Sequence, residues 1–139
     1  MTKNALSPLF NLDDHQREPK FTNSFYQKDI VSVTQFTKDD LDYIFSRTDE
    51  MAEMSRRWGT CELLKGYTLA CVFYEPSTRT SSSFIAAMER LGGKVIPITE
   101  GIQYSSVSKG ETLIDSIFTL EQYCDVIVLR HPEIGSSAT

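Results

Sequence analysis

Cysteine is scarce in this 139-residue chain and odd in number: Cys61, Cys71 and Cys124 lie far apart, in or beside apolar segments. Three such residues make neither a disulfide framework nor a C-x-x-C metal knuckle, and they suit reduced core thiols. Histidine is scarcer still, with only His15 and His131, so a structural metal lacks its usual ligands. Clustered basic charge is missing as well. The formal net charge is -5 without a Lys/Arg run, and nucleic acid or an anionic membrane surface would need a basic footprint. No apolar run approaches a membrane span, and the polar segment 1–20 lacks the hydrophobic core of a signal peptide. These absences predict a cytoplasmic chain with no metal, no nucleic-acid partner and no membrane partner. Three common catalytic signatures are absent too. There is no G-x-x-x-x-G-K-[ST] phosphate loop, no G-x-G-x-x-G and no G-x-S-x-G elbow, and the glycines read mostly as helix stops.

What remains is ordinary globular composition, 40% hydrophobic and 24% charged, in a length that suits one domain rather than two. Residues 1–30 alternate charges, Asn, Pro and aromatics without a period, and read as an arm that includes a short helical piece at most. Residues 31–139 read as the domain. A helix begins at Thr37, a capping residue followed by Asp39 and Asp40 at the positive dipole end. Its apolar stripe is Leu41, Ile44, Phe45, Met51, Met54 and Trp58, and Gly59 stops it. A strand follows over 67–74, then a helix carrying Phe84, Ile85, Met88 and Leu91 on one face and closed by Gly92 and Gly93. Residues 94–99 form a second strand whose Pro97 predicts an edge or an irregular position. The polar loop 100–109 leads to a helix with Leu113, Ile114, Ile117, Phe118 and Leu120 inward, and 125–130 reads as a buried strand. This alternation predicts an α/β domain of three layers, a mostly parallel β-sheet with helices on both faces.

Such sheets bind ligands beyond the carboxyl ends of their strands. Three chemically loaded segments fall on that rim: 77–80 after the first strand, 105–109 after the second, and Arg130-His131 at the end of the third. The richest is Phe73-Tyr74-Glu75-Pro76-Ser77-Thr78-Arg79-Thr80, which places hydroxyls and an arginine at a helix N-terminus. Free N–H groups and the dipole favour an anion there, and the Arg79 fork can hold phosphate oxygens bidentately. Taken alone, each segment also has a plain structural use. Residues 77–80 can be a helix cap with a solvent-facing arginine, 105–111 a loop before an acidic helix start, and Arg130 a strand end meeting solvent or a carboxylate.

The octapeptide resembles the carbamoyl phosphate signature of the aspartate and ornithine carbamoyltransferase superfamily. The blocks Ser81-Ser82-Ser83-Phe84, Ala86-Ala87-Met88, Arg90-Leu91-Gly92-Gly93, the run 105–112 and Leu129-Arg130-His131-Pro132 are similar to its aspartate branch in order and spacing. Where ornithine enzymes carry an arginine after the signature and lack a lysine in the polar loop, this chain has Ser81 and Lys109. The resemblance spans roughly residues 30 to 135.

It implies transfer of the carbamoyl group of carbamoyl phosphate to L-aspartate in de novo pyrimidine biosynthesis, without a cofactor. Ser77, Thr78, Arg79 and Thr80 would grip the phosphate, and Thr80 and Arg130 would reach the carbamoyl oxygen. That makes Arg79, Thr80 and Arg130 the catalytic set. Ser105 and Lys109 would enter the site of the neighbouring subunit in a homotrimer. The amino-acid domain that holds L-aspartate would follow Thr139, so this chain is expected to be inactive alone. The alternatives are another transcarbamylase with a different amine acceptor, or a non-catalytic phosphate-binding or assembly module.

Overall fold

The computed structural model describes residue 25 and residues 28–99 and 110–136. Most of the arm, and the polar loop that carries Ser105 and Lys109, lie outside the described residues. Contacts divide the chain into two compact units, one ending at Met54 and one starting at Ser55.

In the first unit a 3-10 turn, Val33–Gln35, is capped by Ser32, whose hydroxyl accepts from Thr34 N while the Gln35 side chain accepts from Ser32 N. Helix α1, Lys38–Trp58, starts by the same reciprocal device. Thr37 Oγ1 accepts from Asp40 N at 3.2 Å, and Asp40 Oδ2 accepts from Thr37 N at 2.9 Å and from its hydroxyl at 2.6 Å. Met54 is buried and Leu41, Ile44 and Met51 are half-buried, but Phe45 is exposed. It sits about 100° round the helix from Ile44, off that narrow stripe. Phe25 packs against Phe36 and Tyr43, with ring centroids 5.7 and 6.4 Å apart. The helix ends at Gly59, whose φ of 75° few other residues accept.

The second unit carries strand β1 (Thr68–Phe73), helix α2 (Thr78–Arg90), strand β2 (Lys94–Thr99), helix α3 (Leu113–Glu121) and strand β3 (Val126–Arg130). All pairing is parallel, in the order β2-β1-β3. β1 is central, and its unbroken run of Leu69, Ala70, Cys71, Val72 and Phe73 is buried throughout because both of its faces are covered. Ala70, Val72 and Tyr74 meet Leu113 and Leu120 of α3 together with Cys124, Ile127 and Leu129. On the opposite face, by the alternation of a strand, Cys71 donates its thiol hydrogen to the Ser81 carbonyl of α2 at 3.9 Å. Burial pushes the Cys71 thiol above its ordinary pKa, so it stays protonated as that bond requires. The expected three layers are therefore present.

Beyond Phe45, further positions differ from the sequence reading: Trp58 of α1 and Phe84 of α2, expected on core-facing stripes, are exposed, and β3 and α3 depart as well. β3 is not buried: its ends are exposed, with Val126 at 53%, because it lies at the margin of the described sheet and pairs with β1 alone among the described residues. Ile114 and Phe118 face outward, since the nine-residue α3 packs through the neighbouring stripe that includes Leu113 and Leu120. β2 does occupy a margin of the sheet formed by the described residues, where Pro97 breaks no ladder that a central strand would need.

The turn closing α2 is pinned to the segment before β1. Cys61 N donates to Arg90 O and Leu64 N to Leu91 O, both at 2.7 Å. Gly92 has φ 84°, and a Cβ there would lie 2.6 Å from the Cys61 carbonyl oxygen and 2.9 Å from Glu62 Cα. Gly66 has φ 94° with open space around it. Gly66→Ala should therefore cost about 1 to 2 kcal/mol of backbone strain in denaturant unfolding. Gly92→Ala should cost at least about 1 kcal/mol more, for displaced backbone. Equal losses would show that the 61–62 backbone moves aside freely.

At the start of α3, Asp115 Oδ2 accepts from the Thr112 hydroxyl at 2.6 Å and from Thr112 N at 3.2 Å. Those bonds hold its carboxyl below the ordinary range, the hydroxyl contributing most. A depressed folded-state pKa gives stability that is complete above the unfolded value of about 3.9 and is lost as pH falls through the folded value. In Thr112→Ala, an NMR titration should place Asp115 nearer its ordinary range. An unchanged titration would remove the hydroxyl as the cause.

Candidate functional site

The site is built where β1 hands the chain to α2 and where β3 ends beside it. Pairing continues past β1, with Tyr74 N donating to Arg130 O at 2.9 Å, so the last residue of β3 is held level with the turn 74–77. The chain order reverses about β1, with β2 on one side and β3 on the other, which makes the gap between β1 and β3 the switch point of the sheet. There an open recess of about 350 Å³ is lined by Pro76, Ser77, Thr78, Arg79, Thr80 and Arg130.

Ser77 occupies the cap position of α2 but does not cap it. Its backbone, φ -150° and ψ 61°, makes no side-chain cap bond, and its hydroxyl instead accepts from Arg130 Nη1 at 2.8 Å. Arg130 Nε donates to Glu75 Oε2 at 3.1 Å. A carboxylate and a hydroxyl thus aim the Arg130 guanidinium along the rim, while the leading turn of α2 keeps the positive end of its dipole free of a capping side chain. Thr78, Arg79 and Thr80 are exposed on that turn, and Ser81 beneath them is buried. Two guanidiniums, two to three hydroxyls and a helix start are what a tetrahedral dianion asks for.

Of the seven residues expected from the sequence, five, Ser77, Thr78, Arg79, Thr80 and Arg130, line one recess. Ser105 and Lys109 lie outside the described residues. His131 stands apart from the recess. Its ring meets Tyr74 edge-on with centroids 4.6 Å apart, and its Nδ1 accepts from Glu133 N at 3.2 Å. Two contacts are not readable from the sequence. Glu75 lies inside the octapeptide but has its partner in Arg130, 55 positions away, and Ser81, which the sequence marks only as a branch-distinguishing position, bonds back to the Ser77 carbonyl. Among the described residues no group of three His, Cys, Asp or Glu is placed to hold a metal ion. No helix among them is long and apolar enough to cross a membrane.

Fold and site together define a parallel α/β domain that presents, at its switch point, a recess lined by two arginines and three hydroxyls. Residues 28–139 match the family described as aspartate/ornithine carbamoyltransferase, carbamoyl-P binding domain. The chain belongs to that family. It is 48% identical over 114 residues to the aspartate carbamoyltransferase catalytic subunit of Leptospira biflexa, covering 82% of this chain and 36% of that protein. With the multifunctional protein pyr1-3 of Dictyostelium discoideum it shares 46% over 134 residues, 96% of this chain and 6% of the relative. Among solved structures, the catalytic subunit of M. jannaschii aspartate transcarbamoylase superposes with a TM-score of 0.73 at 46% identity, over 78% of this chain and 35% of that one. The Trypanosoma cruzi aspartate transcarbamoylase in complex with carbamoyl phosphate and aspartate gives a TM-score of 0.72 at 41% identity, over 78% and 35%. The chain spans about a third of the length of such single-function relatives.

The Glu75–Arg130 pair is half-exposed on both sides, 40% and 47%, so solvent screens it and it adds little to stability. Its effect falls on the recess, where a carboxylate beside Arg130 opposes an incoming anion. Glu75→Gln keeps an acceptor for Nε and removes the charge. Inorganic phosphate should bind this variant about fivefold more tightly by calorimetry, a difference of about 1 kcal/mol that fades as salt rises. Weaker binding would mean that the charge is needed to aim Arg130.

Proposed function

We propose that the recess holds the phosphate of carbamoyl phosphate, and that the chain is the carbamoyl phosphate-binding part of an enzyme that carbamoylates L-aspartate in pyrimidine synthesis. One observation carries this. Arg130 from β3 and the turn 77–80 between β1 and α2 converge on a single recess, although 53 positions separate Arg130 from Ser77. Family membership and the names of the relatives support the choice of ligand and acceptor.

In this reading the amine of L-aspartate attacks the carbamoyl carbon, a C–N bond forms, the C–O bond to phosphate breaks, and the amine proton leaves. Arg130 and Thr80 donate to the carbamoyl oxygen as it gains charge, and Arg79 with Ser77 and Thr78 takes the charge of the departing phosphate. Positioning supplies much of the remaining rate. The reaction needs no cofactor or metal. Residues 1–30 act as an arm and 31–139 as the carbamoyl phosphate-binding domain, with L-aspartate held by a second domain. Ser105 and Lys109 complete the site of a neighbouring subunit in a homotrimer, a role supported by their resemblance to the family's intersubunit loop. A cytoplasmic setting is supported by the pyrimidine-enzyme relatives and by the odd number and wide spacing of the cysteines.

The chain alone should bind carbamoyl phosphate or phosphate weakly and form no carbamoyl aspartate at a useful rate. Arg79→Ala should weaken phosphate binding at least about thirtyfold, since a desolvated charge-assisted fork contributes on the order of 2 to 5 kcal/mol. Its unfolding midpoint should stay unchanged. Arg79→Lys should recover only part of the affinity, because the ammonium keeps charge without the planar fork. Equal calorimetric affinities in Arg79→Ala and the parent would reduce 77–80 to a helix start.

A further inference from the structure

We infer that Ser81 is a positioning residue of the recess, acting through the backbone of Ser77 and not through contact with the ligand; the inference rests on reading the recess as a phosphate site. Ser81 is 7% exposed, which is unusual for a serine in the first turn of a helix. Its hydroxyl donates to Ser77 O at 2.8 Å and approaches Thr78 O at 3.3 Å, and its N–H donates to the same Ser77 oxygen at 2.9 Å. Both lone pairs of that carbonyl are therefore engaged by one residue. From the other side the carbonyl of Ser81 accepts the thiol hydrogen of Cys71, which is wholly buried at the centre of β1. A continuous chain of bonds runs from the middle of the sheet through Ser81 to Ser77, and from Ser77 Oγ to Arg130.

This chain determines what Ser77 does. A serine at a cap position ordinarily adopts extended backbone and turns its hydroxyl onto the N–H groups of the second or third helical residue, here Arg79 or Thr80. Ser77 is instead held at ψ 61°, with its hydroxyl on Arg130 and no cap bond. The Ser81 N–H bond to that carbonyl is the first bond of any helix and is compatible with a cap; the added hydroxyl bond is what holds the Ser77–Thr78 peptide tilted and ψ away from the extended value of a capping serine. Without the Ser81 hydroxyl, Ser77 can turn back, satisfy an N–H that the anion would otherwise take, and release Arg130. The helix start then gains a cap while the recess loses a donor and an aimed guanidinium.

The test measures inorganic phosphate binding by calorimetry, together with thermal midpoints, on the full chain and its variants. Ser81→Ala should bind about tenfold more weakly, the scale of one lost charge-assisted hydrogen bond, with an unfolding midpoint equal to or above the parent's. Ser81→Thr, which retains the hydroxyl, should restore most of the affinity. In a Ser77→Ala background Ser81→Ala should add no further loss, because its route to the ligand is already cut. If Ser81→Ala does not fold, Ser81→Cys fills the same space with a poor donor and should show the same loss. A parent that binds phosphate while Ser81→Ala binds equally well would overturn the inference and leave the phosphate site standing. Losses that add in the double variant, or a fall in midpoint that tracks affinity, would reduce Ser81 to helix support and also overturn it. A parent that binds no phosphate would overturn the reading of the recess and the inference with it.

Discussion

Everything at the recess depends on β1 being buried on both faces. A strand covered by α2 on one side and α3 on the other cannot shift in register without exposing Leu69, Cys71 and Phe73 or Ala70, Val72 and Tyr74 to the wrong partners. Its carboxyl end is thereby fixed, and with it the turn 74–77 and the first residue of α2. β3 inherits the same precision from its parallel pairing with β1, so that Arg130 ends level with Phe73. The hydrophobic pattern of one strand thus sets the position of a guanidinium against a helix start.

On that frame the polar groups divide the work by exposure. Arg79, Thr78 and Thr80 stand at the surface, where they can exchange water for ligand, and an exposed arginine contributes little to folding. Ser77, Glu75 and Arg130 form a half-exposed lattice that trades stability for aim. Ser81 and Cys71 are buried, and in a less polar surrounding their modest bonds hold geometry more firmly than the same bonds would in water. Rigidity therefore increases from the rim of the recess inward to the sheet.

Much of this was legible in the sequence. The strands around 67–74 and 94–99 and the helices that separate them follow from local periodicity and glycine stops, and Pro97 marked a strand that lies at the margin. The clustering of the octapeptide's hydroxyls and arginine was legible because such groups at a helix start are a local signal, and these residues do line one recess. The misread features are non-local ones. The apolar centre of β3 resembles that of a central strand, and only the order β2-β1-β3 shows it to be at a margin. Phe118 and Ile114 share helical spacing with true core positions, and the short contact line of α3 decides which stripe is used. Ser77 reads as a cap until its partner is found 53 positions downstream, and Glu75 has no assignable role until the same arginine is placed beside it.

The parallel pairing of β1 with β3 also orders events in time. Thr68 and Asp125 exchange backbone and side-chain bonds across 57 positions, with Thr68 N donating to Asp125 Oδ2 at 2.8 Å and Asp125 N to Thr68 O at 2.9 Å. On a ribosome that adds about 5 to 20 residues per second, the most buried of the described strands emerges seconds before the strand that will flank it. During that interval β1 has α2 and β2 as local company but one edge unpaired, the condition in which nascent parallel sheets are most open to wrong partners. The turn 74–77 is thus among the earlier parts of the domain to be made and among the last to be completed, because Arg130 must arrive before Ser77 has anything to accept from.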